Sequence, residues 1–113
     1  MLMKEITRQL DELGMNNKIK GYGFSRYAVS VIIERGVMIS VEEVYSFVAE
    51  KFSTVPDCVE RNIRYAVEKT WEMGNLNKIT DFFGYTVSQD KGKPTNSEFL
   101  FMLADRILLN LSA

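Results

Sequence analysis

Apolar residues return every three to four positions along most of this chain, the spacing of amphipathic helices. Met3, Ile6, Leu10 and Leu13 share one face of a first helix over Met3 to Leu13, and Gly14 stops it. Asn16 to Lys20 is a polar connection. A second helix follows Gly21, Tyr22 and Gly23 and runs to about Arg35. Phe24, Tyr27, Ala28, Val31 and Ile32 lie on one side of it, with Val29 and Ile33 on another. A helix apolar on most sides is buried by several neighbours, so this one is expected to be the central post of the core. Gly36 ends it, and Val37 to Ile39 lead onward.

The stretch from Ser40 to Met73 then reads as a helix, a tight turn and a longer helix. Ser40 and Glu43 form a capping box, in which each side chain satisfies the other's free backbone donor. Val41, Val44, Tyr45 and Val48 follow at helical spacing. The turn falls at Phe52 and Ser53. Thr54 is expected to open the longer helix, with Pro56 in its first turn and Asp57 completing a second box. That helix runs to Met73 and stops at Gly74 as a left-handed cap. Two helices joined this tightly fit a helix-turn-helix.

Beyond Gly74, Asn75 can cap a short helix through Leu76, Ile79, Phe82 and Phe83, ending at Gly84. Tyr85 to Lys93 is the longest irregular stretch. Thr95 and Glu98 form another capping box at the start of a last helix, after Pro94. Leu100, Leu103, Ile107 and Leu111 make its inward stripe. Phe101, Met102 and Leu109 fall outside that stripe, which marks either a partner contact or coverage by the first helix. No segment alternates with a period of two over a useful length. The expected fold is all-α, a six-helix domain containing a helix-turn-helix.

Composition narrows the chemistry. The chain has 113 residues, the size of one domain, with 46% hydrophobic and 26% charged residues. Fourteen basic and 15 acidic residues leave a net charge of −1. Nucleic-acid binding would therefore need a locally basic face. The lone cysteine, Cys58, permits no internal disulfide and points to a reducing cytoplasm. Near a helix start its thiol could be acidified, or it is a small packing residue. No signal peptide and no membrane span stand out. The chain contains no histidine, and with one cysteine it cannot build a usual zinc site. Phosphate loops and nucleophile elbows are absent as well, so neither an enzyme nor a cofactor is expected.

The longer helix of the central motif has two unlike faces. Val59, Ile63, Ala66, Val67, Thr70 and Trp71 form an inward stripe. Asp57, Glu60, Arg61, Arg64 and Glu68 gather on another face. In a DNA-binding helix-turn-helix this outward face enters the major groove. Arg61 can donate two hydrogen bonds to guanine, and Glu60 can accept one from the amino group of cytosine. The same pattern also describes any surface helix. Lys91 and Lys93 beside the last helix suit either a phosphate clamp or a plain surface loop. The free backbone donors at Asn96 and Ser97 suit an anion.

Three runs of residues are more specific than this pattern. The strongest is Phe83-Gly84-Tyr85-Thr86-Val87-Ser88 with Lys93-Pro94-Thr95-Asn96-Ser97-Glu98-Phe99. The second is Val59-Glu60-Arg61 and Ile63-Arg64, ending at Trp71 and Gly74-Asn75. The third is Ile19-Lys20-Gly21-Tyr22 with Arg26. Together they resemble the C-terminal DNA-binding domain of stage-zero sporulation protein A, a response-regulator family that commits endospore-forming bacteria to sporulation. The resemblance runs from about Ile6 to Ile107.

The resemblance implies a six-helix effector domain that binds short promoter boxes containing a C–G step. It implies that the helix from Thr54 to Met73 is the recognition helix, with Glu60 and Arg61 reading bases and Arg64 touching a base or a phosphate. Lys91, Lys93, Asn96 and Ser97 inherit contacts to the DNA backbone. The region after the recognition helix, with Gly74, Lys78, Thr80, Phe83 and Val87 as candidates, would meet the sigma subunit of RNA polymerase. Tandem copies or a homodimer would occupy adjacent boxes. Two departures stand out. The family's phosphate-receiving domain is absent from these residues, as in an excised domain or a stand-alone version. Pro56, Asp57 and Cys58 also replace small, polar and basic residues, and an acid facing phosphate costs affinity. The rival reading is a protein-interaction module that pairs with a full-length regulator through Phe101, Met102 and Leu109 and has weak or no DNA binding.

Overall fold

The computed structural model describes residues 1–83 and 92–112, apart from the side chains of Leu76 and Phe82. Among these residues the elements are α1 (Leu2–Leu13), α2 (Lys20–Arg35), α3 (Val41–Lys51), α4 (Pro56–Met73), α5 (Leu76–Phe83) and α6 (Asn96–Ser112). The all-α, six-helix architecture matches the periodicity. The stretch from Gly84 to Lys91, including the expected helix stop at Gly84, lies outside the described residues.

α2 is the central post. Ala28, Val29 and Ile32 are fully buried on its different sides, and α1, α3, α4 and α6 all pack on it. Gly21 sets its approach to α4. A Cβ there would stand 2.6 Å from the Ala66 Cβ and run into the Asn62 carbonyl oxygen. Only a residue without a side chain lets the two backbones come this close.

α3 begins with the Ser40–Glu43 box, both of its hydrogen bonds being formed. The start of α4 departs from expectation. Thr54 does not cap it; the N-cap is Val55, with no side-chain cap bond, and Pro56 occupies the first helical position. The Thr54 N–H is already used, donating to the Ala49 carbonyl at 2.9 Å within the turn. Proline at the first position has no N–H to leave unsatisfied, so the missing box costs little. Ser53 closes the turn in the left-handed region, at φ 55°.

Gly74 is also unlike the expectation. Its φ of −81° is not left-handed. The position needs glycine because α1 ends against it: a Cβ would stand 2.5 Å from the Leu13 carbonyl oxygen. The left-handed stop is at Gly14, φ 89°, on the other side of that contact. Asn75 then caps α5 by accepting from the Lys78 N–H at 3.3 Å.

In α6 the Thr95–Glu98 box is formed in both directions. The inward stripe is Phe99, Leu100, Leu103, Ala104 and Ile107, all fully buried. Leu111 does not belong to it and is 48% exposed. Phe101 and Met102 are half-buried against the core, while Leu109 is exposed. α1 itself lies mainly against α2 and α5.

Candidate nucleic-acid interface

α4 owes its position to its buried face. Val59, Ile63, Ala66, Val67 and Thr70 are sealed against α2, α3 and α6. Burying such side chains contributes roughly 1.5–3 kcal/mol for each large aliphatic one, enough to fix which face turns outward. Asp57, Arg61, Arg64 and Tyr65 are exposed, with Glu60 and Glu68 partly so. Spacings of three and four residues align these groups into one strip along the helix. Tyr65 was missed by the sequence reading. Its place four residues beyond Arg61 was the available signal.

The charges on this strip are largely paired within the molecule. Arg64 Nη1 meets Glu60 Oε2 at 3.0 Å, one helical turn away. Lys93 Nζ, from the segment before α6, pairs with Glu68. The hydrogen bond from Lys93, more than any other influence, holds the Glu68 carboxyl below its ordinary range. Among the described residues Arg61 has no carboxylate partner and donates only a long bond, 3.4 Å, to the Asp57 carbonyl of its own helix.

Between α4 and the start of α6 lies a groove of about 530 Å³, lined by Tyr45, Glu60, Arg64, Lys93 and Ser97 among others. Lys93 and Ser97 are exposed at its rim. Asn96 differs from the other backbone candidates. It is buried, and its side-chain amide donates to the Glu60 carbonyl at 3.0 Å and to the Tyr45 hydroxyl at 3.2 Å. That amide is a clamp inside the protein and is not presented outward. Burial pushes the Tyr45 hydroxyl above its ordinary pKa. Lys91 lies outside the described residues.

The candidates after α4 divide in the same way. Thr80 is exposed, and Lys78 is half-buried, 3.8 Å from Glu12. Gly74 is closed in by Leu13 and Thr70. Phe83 is a core residue, 3% exposed, stacked on Phe99 and edge-on to Trp71, so its ring is not offered to a partner. Val87 lies outside the described residues.

No group of three or more histidine, cysteine, aspartate or glutamate side chains that could hold a metal occurs among the described residues. No helix among them is long and apolar enough to cross a membrane. What the described surface offers is a strip of hydrogen-bonding side chains on a rigid helix within a helix-turn-helix, flanked by a lysine-bearing groove. Residues 6–107 match the family model described as "Sporulation initiation factor Spo0A C terminal", and the chain belongs to that family of DNA-binding sporulation regulators.

Proposed function

We propose that the chain reads a short C–G-containing promoter box by inserting α4 into the major groove. The observation that supports this most is the outward strip of Glu60, Arg61 and Arg64 on a helix whose opposite face is locked in the core. Arg61, free of carboxylates among the described residues, supplies a fork of donors for guanine O6 and N7. Glu60 accepts from the amino group of cytosine. A carboxylate has about four acceptor sites, so Glu60 can serve the base while keeping Arg64. Arg64 then braces Glu60 and reaches toward the backbone, while Lys93 and Ser97 hold phosphates at the start of α6.

In this reading the protein works in the cytoplasm, where promoter DNA lies. Thr80 and Lys78 on α5 form the surface for the sigma subunit, and adjacent boxes take tandem copies. A gel shift at low salt, with a C–G box beside a scrambled duplex, tests the reading. Tighter binding to the box supports it, and no binding at micromolar protein sinks it. The internal pairing of Arg64 and Lys93, with Asp57 at the leading edge, favours a second reading, an interaction module with weak DNA affinity. The same gel shift separates the two.

A further inference from the structure

A helix in the major groove meets two phosphate backbones. With side chains it is about 10–12 Å across, and the groove is about 12 Å wide. Each flank of the helix therefore comes up against one strand. The flank of α4 carrying Glu60 and Arg64 opens on Lys93 and Ser97. The other flank, carrying Cys58, opens on a groove of about 830 Å³ between the start of α2 and the turn before α4. Lys20, Arg26, Ser53 and Thr54 are among the residues lining it.

Charge is arranged differently on the two sides. Lys93 is held by Glu68. Lys18 and Lys20 are exposed and have no carboxylate partner among the described residues. Among the same residues, Arg26 makes only a 3.5 Å bond to the Thr7 hydroxyl and a 5.7 Å approach to the Tyr22 ring. One acid, Asp11, lines this groove beside the two cations Lys20 and Arg26, and it accepts a 2.8 Å hydrogen bond from the Tyr22 hydroxyl. In a chain of net charge −1, this is a locally basic surface beside the leading end of α4.

We propose that this groove is a second phosphodiester site. Lys20 and Arg26 in its lining neutralise the backbone, Lys18 adds charge from the connection just outside it, and the Ser53 and Thr54 hydroxyls donate to the phosphate oxygens. The strand held here is the one opposite to that met by Lys93. The assignment rests on the DNA-binding reading above and adds the other wall of the groove to it.

Salt titrations and ethylation-interference mapping on a C–G box test it, using the full chain, the double variant Lys18→Ala/Lys20→Ala and Lys93→Ala. The double variant should weaken binding to box and scrambled duplex alike and flatten the salt slope by about two units. It should lose interference at phosphates of one strand, and Lys93→Ala at phosphates of the other. Lys20→Arg should keep the wild-type slope. A double variant with wild-type slope and interference overturns the proposal, as does loss on the same strand in both variants. Wild-type protein that binds no DNA overturns the underlying reading instead, and the two failures are told apart by that arm.

Discussion

The Asn96 side chain bonds the backbone carbonyl of Glu60 across 36 residues of sequence. This ties the first turn of α6 to the turn of α4 that carries Glu60 and Arg61, and the Tyr45 hydroxyl brings α3 into the same junction. Asn96→Ala removes both bonds from a buried place. Each contributes ~0.5–1.5 kcal/mol net, so the variant should lose about 1–3 kcal/mol. A lower urea midpoint at unchanged m-value is the expected result. A midpoint equal to that of the wild type would contradict the clamp.

Arg61 is exposed and, among the described residues, free of carboxylates, so its removal disturbs little in the fold. Arg61→Ala should cost about 1–3 kcal/mol on the specific box and relax the choice at one base pair. Thermal stability should stay near that of the wild type. Equal losses on specific and scrambled DNA would rule out base reading by this side chain.

On the proposed reading, Glu68, which pairs with Lys93, competes with phosphate for it. Glu68→Gln should free the lysine and tighten binding to every sequence, on the order of twofold to fivefold, since exposed pairs are weak. Lys93→Ala should weaken all sequences and flatten the salt slope by about one unit. If Glu68→Gln leaves non-specific affinity unchanged, the pair does not restrain binding.

Gly21 and Gly23 lie two residues apart in α2 and should respond oppositely to alanine. At Gly21 the added methyl group meets the backbone of α4, and overpacking of this kind costs about 1–3 kcal/mol or more. At Gly23 an added Cβ meets nothing within 4 Å, so alanine should stabilise the helix by roughly 0.5–1 kcal/mol. Thermal melts of both variants check the contrast, and a destabilised Gly23→Ala would contradict it.

Tyr22 gives the fold an alkaline limit. Burial, then its hydrogen bond to Asp11, pushes the phenol from 10.0 up to about 12. The folded state holds this proton more tightly than the unfolded chain does. The contribution is therefore complete below pH 10 and is lost as the pH rises through about 12. Tyr22→Phe should flatten the fall of stability across that window in urea titrations. An equally steep fall in both proteins would exclude the phenol as its source.

Local pattern made the helices readable, because periodicity and capping depend on residues three and four apart. Ser40 with Glu43 and Thr95 with Glu98 are such cases, and so is the outward strip of α4. What the pattern hid depends on distant partners. The turn consumed the Thr54 N–H by pairing it with Ala49, which moved the start of α4. Gly74 is glycine because α1 ends against it. Leu111 shares the spacing of Leu103 and Ile107 but is left half in solvent among the described residues. The Glu68–Lys93 pair and the Asn96 clamp join residues 25 and 36 positions apart, beyond the reach of any local rule.

The bare backbone at Gly21 has a consequence for descent. With α2 seated directly on α4, the angle at which α4 would be offered to a duplex in the proposed reading is inherited with the core. Lineages can still change the outward side chains, because their ion pairs lie at the surface and outside the core. Such a domain can change its address on the chromosome without changing its architecture, and the places to compare between relatives are the outer positions of α4.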